Sequence, residues 1–192
     1  MTALTIDVSA LGELTDDKLF DLCTQNRDVR FERTCRGELI VMSPAGLETS
    51  HQNLEIASVL RNWNKASKLG KVFGPDAGFT LRNKAMLSPD AAWVTQARWE
   101  ALPKSEQKRF GRISPDFVVE LRSPSDRLPQ LKAKMDEWME NGCRLGWLID
   151  PHNEKVYIYR ADGSMSVVES FDETVSGENV LPGFELVLSE LR

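Results

Sequence analysis

A chain of 192 residues, 41 % hydrophobic and 28 % charged, has the balance of a soluble globular protein, and one domain spanning 1–192 is expected. Its net charge of −5 argues against broad electrostatic coating of nucleic acid, while leaving room for a locally basic cleft. No apolar run reaches the roughly 20 residues of a membrane span, the N-terminal stretch MTALTIDVSALGELTDD lacks signal-peptide character, and Cys23, Cys35 and Cys143 match neither a disulfide framework nor a zinc pattern, so a cytoplasmic protein with no membrane partner is expected.

Residues 14–27 read as a first helix. Thr15-Asp16-Asp17 offers an N-cap and negative charge in the first turn, and Leu14, Leu19, Phe20 and Leu22 form an apolar face. Residues 29–33 and 38–42 read as a hairpin around Arg36-Gly37, ended by Ser43-Pro44-Ala45-Gly46. A long helix is predicted over 50–69. Thr49 and Gln52 have capping-box spacing, Ile56, Val59, Leu60, Trp63 and Ala66 share a face, and Gly70 stops it. Short strands follow at 71–74 and 78–82, then a turn at Asn83-Lys84, a strand within 87–94 and a helix at 96–102. The polar, basic stretch 103–112 reads as a mobile loop. Next come a buried strand at 117–121, a turn at Ser123-Pro124-Ser125-Asp126 and an amphipathic helix at 127–141, with Leu128, Leu131, Met135, Trp138 and Met139 on one face. A second buried strand at 145–149, a hairpin at 155–160 and 165–169, and a short strand at 184–188 complete the chain. The strand–helix–strand unit over 117–149 implies a right-handed crossover between parallel strands, whereas the hairpins imply antiparallel neighbours. The fold class is therefore α/β (α+β), a central mixed sheet flanked by helices.

Strand 117–121 is apolar on both faces except for Glu120. A charge there is costly unless it is paired or bound to a cation. Glu120 thus marks either a structural ion pair with Arg122 or Lys134, or a metal site. Two Pro-Asp dipeptides precede it, Pro89-Asp90 and Pro115-Asp116. Asp116 and Glu120 share one strand, and at about 3.3 Å per residue their backbones stand about 13 Å apart, too far to share one small cation. Asp90 belongs to another strand. If that strand pairs with 117–121, Asp90 lies beside Glu120, because neighbouring strands are only about 4.8 Å apart. Arg122 follows two residues after Glu120, on the same face. An Asp on one strand with Glu-x-Lys/Arg on the next suits phosphodiester cleavage: the carboxylates hold a divalent cation that lowers the pKa of water, and a basic side chain steadies phosphate charge.

These segments resemble the Uma family of restriction endonucleases within the PD-(D/E)XK nuclease superfamily. The matching residues are Ser88-Pro89-Asp90-Ala91-Ala92, then Pro115-Asp116-Phe117-Val118-Val119-Glu120-Leu121-Arg122-Ser123-Pro124-Ser125. Lys134, Trp138 and Gly142 at four-residue steps follow, and then Gly146-Trp147-Leu148-Ile149-Asp150-Pro151. Upstream, Gly37-Glu38-Leu39 and Met42-Ser43-Pro44 resemble that family's early hairpin. The resemblance implies a restriction-endonuclease-like fold, Mg²⁺ or Mn²⁺ as cofactor, DNA as substrate and a homodimer. It assigns Asp90 and Glu120 to the metal. The lysine expected two residues after the glutamate is Arg122 here. Arginine stabilises phosphate but is a poor proton acceptor. The resemblance places the missing lysine on the next helix, at Lys134; a helical wheel alone does not choose between Lys132 and Lys134. For the first-helix acid, Glu48 is preferred over Glu55 as a further metal ligand. His51 reads as a surface histidine. Two other readings stand beside the nuclease: a catalytically weak nucleic-acid-binding relative and an interaction protein that retains the fold.

Overall fold

The computed structural model describes residues 4–192, so residues 1–3 of the stretch read as lacking a signal peptide lie outside it. The chain opens with β1 (Leu4–Ile6), α1 (Asp16–Gln25), β2 (Arg30–Arg33), β3 (Leu39–Met42) and α2 (Leu47–Ser67). Then follow β4 (Gly70–Phe73), β5 (Phe79–Thr80), β6 (Met86–Leu87), β7 (Ala91–Thr95) and α3 (Gln96–Ala101). The last part holds β8 (Phe117–Leu121), α4 (Leu128–Glu140), β9 (Leu145–Asp150), β10 (Lys155–Arg160), β11 (Met165–Val168), β12 (Thr174–Ser176) and β13 (Glu185–Val187). No helix among the described residues is long and apolar enough to cross a membrane.

A six-stranded sheet runs β11-β10-β9-β8-β7-β4, and a five-stranded sheet runs β1-β3-β2-β6-β5. In the larger sheet only β8 and β9 are parallel, joined through α4. Both strands are buried along their whole length, which is why they read as near-continuous apolar runs. Side chains alternate between two faces. Ala91, Trp93, Phe117, Val119, Leu121 and Trp147 pack with Ile56 and Leu60 of α2. Ala92, Val94, Val118 and Leu148 pack with Met135 and Trp138 of α4 and with Phe79 and Leu87 of the smaller sheet. Position 120 follows Val118 by two, so Glu120 is directed at α4. Gly146 lets α4 lie close: a Cβ there would collide with the end of Met135.

Several local expectations are corrected. The helix α2 starts at Leu47 behind Gly46, which makes no side-chain cap. Thr49 and Gln52 are buried inside it and form no capping box; the Gln52 amide instead donates to the Leu191 carbonyl at 2.7 Å. It ends with Lys68 in the left-handed region (φ 57°) ahead of Gly70. Ala66 is exposed, and Asn64 takes the buried place, bonding both backbone groups of Gly70 and the Trp93 indole. The strand expected within 87–94 is two strands in two sheets, because Ser88-Pro89-Asp90 crosses between them. The stretch 103–112 is a fixed strap. Gly111 and Phe110 carbonyls accept from Thr80, Arg109 pairs with Asp17 at 2.7 Å, and Arg112 pairs with Asp16 at 2.9 Å. Its arginines are therefore committed to the acidic first turn of α1.

Candidate active site

Asp90 sits where the chain enters the larger sheet. Ala91 opposes Val119 across the antiparallel β7–β8 pair, and the Asp90 amide donates to the Val119 carbonyl at 3.0 Å. Its carboxylate then takes over from the backbone ladder: Oδ2 accepts from the Leu121 amide at 2.8 Å, and Oδ1 from the Asn53 side chain of α2 at 3.1 Å. Asp90 is thus locked beside the C-terminal end of β8. Burial pushes its carboxyl above the usual range, against the lowering effect of the Leu121 amide and the Lys134 charge.

Glu120, 3 % exposed, meets α4. Its Oε1 accepts from the Trp138 indole at 2.8 Å and lies 3.1 Å from Lys134 Nζ. Trp138 and Lys134 are one helical turn apart, so both reach the same carboxylate. Lys134 Nζ also donates to Glu32 Oε1 of β2 at 2.9 Å and to the Ser88 carbonyl at 3.0 Å. Glu32 and Glu120 share the Lys134 ammonium, while Asp90 makes no direct contact with it and feels its charge, and that of Arg30, at longer range. Burial pushes the Glu120 carboxyl up to about 8; Lys134 opposes this, while the like charges of Asp90 and Glu32 add to it. Lys134 is held above its usual range although burial acts the other way, because Glu120 and Glu32 both favour its charged form. Such surplus acidity is the electrostatic condition in which a bound cation is favourable.

The structure brings Asp90, Glu120 and Lys134 together. It does not bring Arg122 to them. The Arg122 guanidinium bonds Asp150 Oδ2 at 2.8 Å, and Asp150 is fully buried at the end of β9. Burial acts to raise the Asp150 carboxyl, but bonds from Asn153 and Arg122 hold it below the usual range. Asp126 bonds the Ser123 amide and hydroxyl, closing the turn before α4. Glu48 is exposed in the first turn of α2, and no hydrogen bond or ion pair among the described residues joins it to Asp90 or Glu120. Glu55 is half-buried and His51 exposed. Asp116 lies at the far end of β8, bonded to the Thr95 amide and paired with Arg98 at 2.9 Å. Sequence reasoning missed Glu32, Asn53 and Trp138 as members of the cluster. Trp138 was visible as part of the helix face; for Glu32 the only signal was a lone acid in a hairpin strand.

The donor set suits a hard divalent cation. Among the described residues no three His, Cys, Asp or Glu side chains form a ready-made cage. Mg²⁺ is ordinarily held by one or two carboxylates, with water and phosphate oxygens completing the shell. Asp90 and Glu120 fit that pattern, and the Oδ1 of Asn53, whose Nδ2 bonds Asp90, is a buried acceptor without a partner. A cleft of about 1030 Å³ lies elsewhere, between α1, the β2–β3 turn and α3, and Asp90, Glu120 and Lys134 do not line it.

Comparison with known proteins bears on the family and the fold. The model of the Uma2 family, described as "Putative restriction endonuclease", matches residues 16–189. Among solved structures, "a putative nuclease belonging to DUF820" from Anabaena variabilis superposes with a TM-score of 0.70. The two share 22 % sequence identity, over 84 % of this chain and 88 % of that one. At that identity the likeness is one of fold, and the fold is the restriction-endonuclease-like α+β architecture. A search of curated proteins returns no match.

Proposed function

Because this chain belongs to the Uma2 family, we propose that it is a Mg²⁺- or Mn²⁺-dependent endonuclease that hydrolyses phosphodiester bonds in DNA. The observation that carries the reading is the meeting of Asp90, Glu120 and Lys134 from three separate elements. Asp90 and Glu120 would hold the cation, with Glu48 the further ligand that the family resemblance suggests. When bound, the cation would supply Lewis-acid charge to the phosphate and lower the pKa of a water. Lys134 offers a fixed positive charge to the phosphate oxygens, where electrostatic stabilisation of developing charge has most effect. The Trp138 indole and the Leu121 amide orient the two carboxylates. Arg122 steadies this end of the sheet through Asp150, and in the proposed reaction would contribute charge at longer range. Action as a homodimer in the cytoplasm would let two such sites address the two strands.

The test is calorimetric titration with Mn²⁺ alongside plasmid cleavage. Asp90→Ala and Glu120→Ala should lose Mn²⁺ binding and cleavage, and Lys134→Ala should lose cleavage while binding Mn²⁺. Unchanged metal affinity in both carboxylate variants would sink the reading. A second reading, a catalytically weak relative that binds nucleic acid, is favoured by one observation: the arginine in the usual lysine position is engaged by Asp150. Its signature is DNA retention on a filter without metal-dependent cleavage.

A further inference from the structure

Glu32 is 3 % exposed and makes two of the cluster's contacts, yet holding a cation between Asp90 and Glu120 gives it no part. Its Oε1 accepts from Lys134 Nζ at 2.9 Å and from the Ser88 amide at 2.8 Å. An ammonium has three hydrogens to donate. Lys134 has three oxygens around it: Glu32 Oε1, the Ser88 carbonyl at 3.0 Å and Glu120 Oε1 at 3.1 Å. Only Glu120 would also be wanted by a cation. When Glu120 turns to one, the ammonium keeps two partners, and Glu32 sets both. It holds the first directly. It sets the second because the same oxygen pins the amide of Ser88. Ser88 lies two residues before Asp90, so the tether that fixes the ammonium also fixes where Asp90 enters β7.

The bland alternative is a structural ion pair. Buried pairs of that kind contribute little net stability, and an apolar replacement is often neutral. The Glu32–Lys134 pair differs in joining the smaller sheet to α4 at the point where the larger sheet presents its two candidate ligands.

We propose that Glu32 is a positioning residue, holding the Lys134 ammonium in register with Asp90 so that it faces the reacting phosphate. The catalytic consequence rests on the nuclease reading above; the positioning does not. Three variants separate them. Glu32→Gln keeps the size and one acceptor but removes the charge. Glu32→Asp keeps the charge with a shorter reach. Glu38→Gln, on the same hairpin and paired with Arg36, is the control. Acetic anhydride labelling with peptide mass spectrometry reads Lys134 directly. Glu32→Gln should label faster at Lys134 than wild type, relative to Lys65 in the same molecule, and Glu38→Gln should not. In Mn²⁺-dependent plasmid cleavage, kcat of Glu32→Gln should fall about 10- to 100-fold, with KM for DNA and Mn²⁺ affinity within about twofold of wild type. Glu32→Asp should recover part of kcat.

Unchanged Lys134 labelling in Glu32→Gln overturns the proposal whatever the activity. Faster labelling with an unchanged kcat in an active enzyme overturns it too. A loss of Mn²⁺ affinity matching that of Glu120→Ala overturns it by making Glu32 a ligand. A wild-type protein that neither binds Mn²⁺ nor cleaves DNA overturns the nuclease reading instead, and labelling then decides the Glu32–Lys134 tether alone.

Discussion

Replacing Glu120 by glutamine isolates the charge that makes the cluster unusual. The side chain keeps its shape and an acceptor for the Trp138 indole, and loses its ionisation. In the native protein burial pushes the Glu120 carboxyl from 4.5 up to about 8, with Asp90 and Glu32 facing it as like charges and Lys134 as its counter-charge. The folded-state value lies above the unfolded one, so the native state holds the extra proton between about 4.5 and about 8. Stability therefore falls as the pH rises through that window, the reverse of an ordinary salt-bridged acid. Between pH 6 and pH 9 the loss amounts to about 3 kcal/mol at most. Glu120→Gln should not suffer it. Groups remote from the cluster titrate alike in both proteins and cancel in the difference. For a chain of this length 1 kcal/mol moves Tm by about 2–4 °C. By thermal unfolding without divalent cations, the Tm advantage of Glu120→Gln over wild type should therefore grow by up to about 6–12 °C from pH 6 to pH 9. Saturating Mg²⁺ should narrow the gap by stabilising the wild type alone. Parallel pH profiles for the two proteins would refute the reasoning, because Glu120 would then be ionised throughout as a well-compensated partner of Lys134.

The proposed cation would give a second pH dependence. Cation binding to Glu120 displaces its proton, so Mn²⁺ affinity by calorimetry should rise with pH by up to about tenfold per unit and level off above about 8; a flat profile would mean that the cation bypasses Glu120. Arg122→Ala leaves Asp150 buried without its guanidinium. It should cost about 3 kcal/mol in urea unfolding and leave Mn²⁺ affinity within about twofold. Unchanged stability with lost cleavage would instead place Arg122 at the phosphate. Glu48 and Asn53 are separated by the same titration. Asn53→Ala removes a donor to Asp90 and should weaken Mn²⁺ binding about tenfold or more, and a comparable loss in Glu48→Ala, whose side chain is exposed, would identify that glutamate as a ligand.

How far the site could be read from the chain depended on how local each partner was. The β8–α4–β9 unit was legible because its patterns are long. Two uninterrupted apolar runs flank a helix whose face, from Leu128 to Met139, repeats with helical spacing. The placement of Asp90 beside Glu120 needed one further assumption, that their strands are neighbours, and β7 does pair with β8. The start of α2 is masked in the sequence because Thr49 and Gln52 mimic a capping box, whereas in the fold both are buried and Gln52 bonds the Leu191 carbonyl. Likewise 103–112 looked mobile from its polarity, because nothing nearby in sequence showed that α1 carries the acids that hold it.

Lys134 shows the limit most clearly. A wheel gives the direction of a side chain but not what awaits it, so Lys132 and Lys134 were equivalent by angle. In the fold they part. Lys132 Nζ rests 4.1 Å over the Tyr157 ring of β10. Lys134 reaches between Glu32 and Glu120. The difference is made by β2, whose glutamate lies 102 residues from Lys134 in the chain. A buried charge announces in the sequence that it needs a partner. Which partner it receives is decided by the smaller sheet closing over α4, and that contact exists only after the chain has folded. The residues proposed to ready this site for a phosphate therefore include one, Glu32, that neither period nor motif could single out.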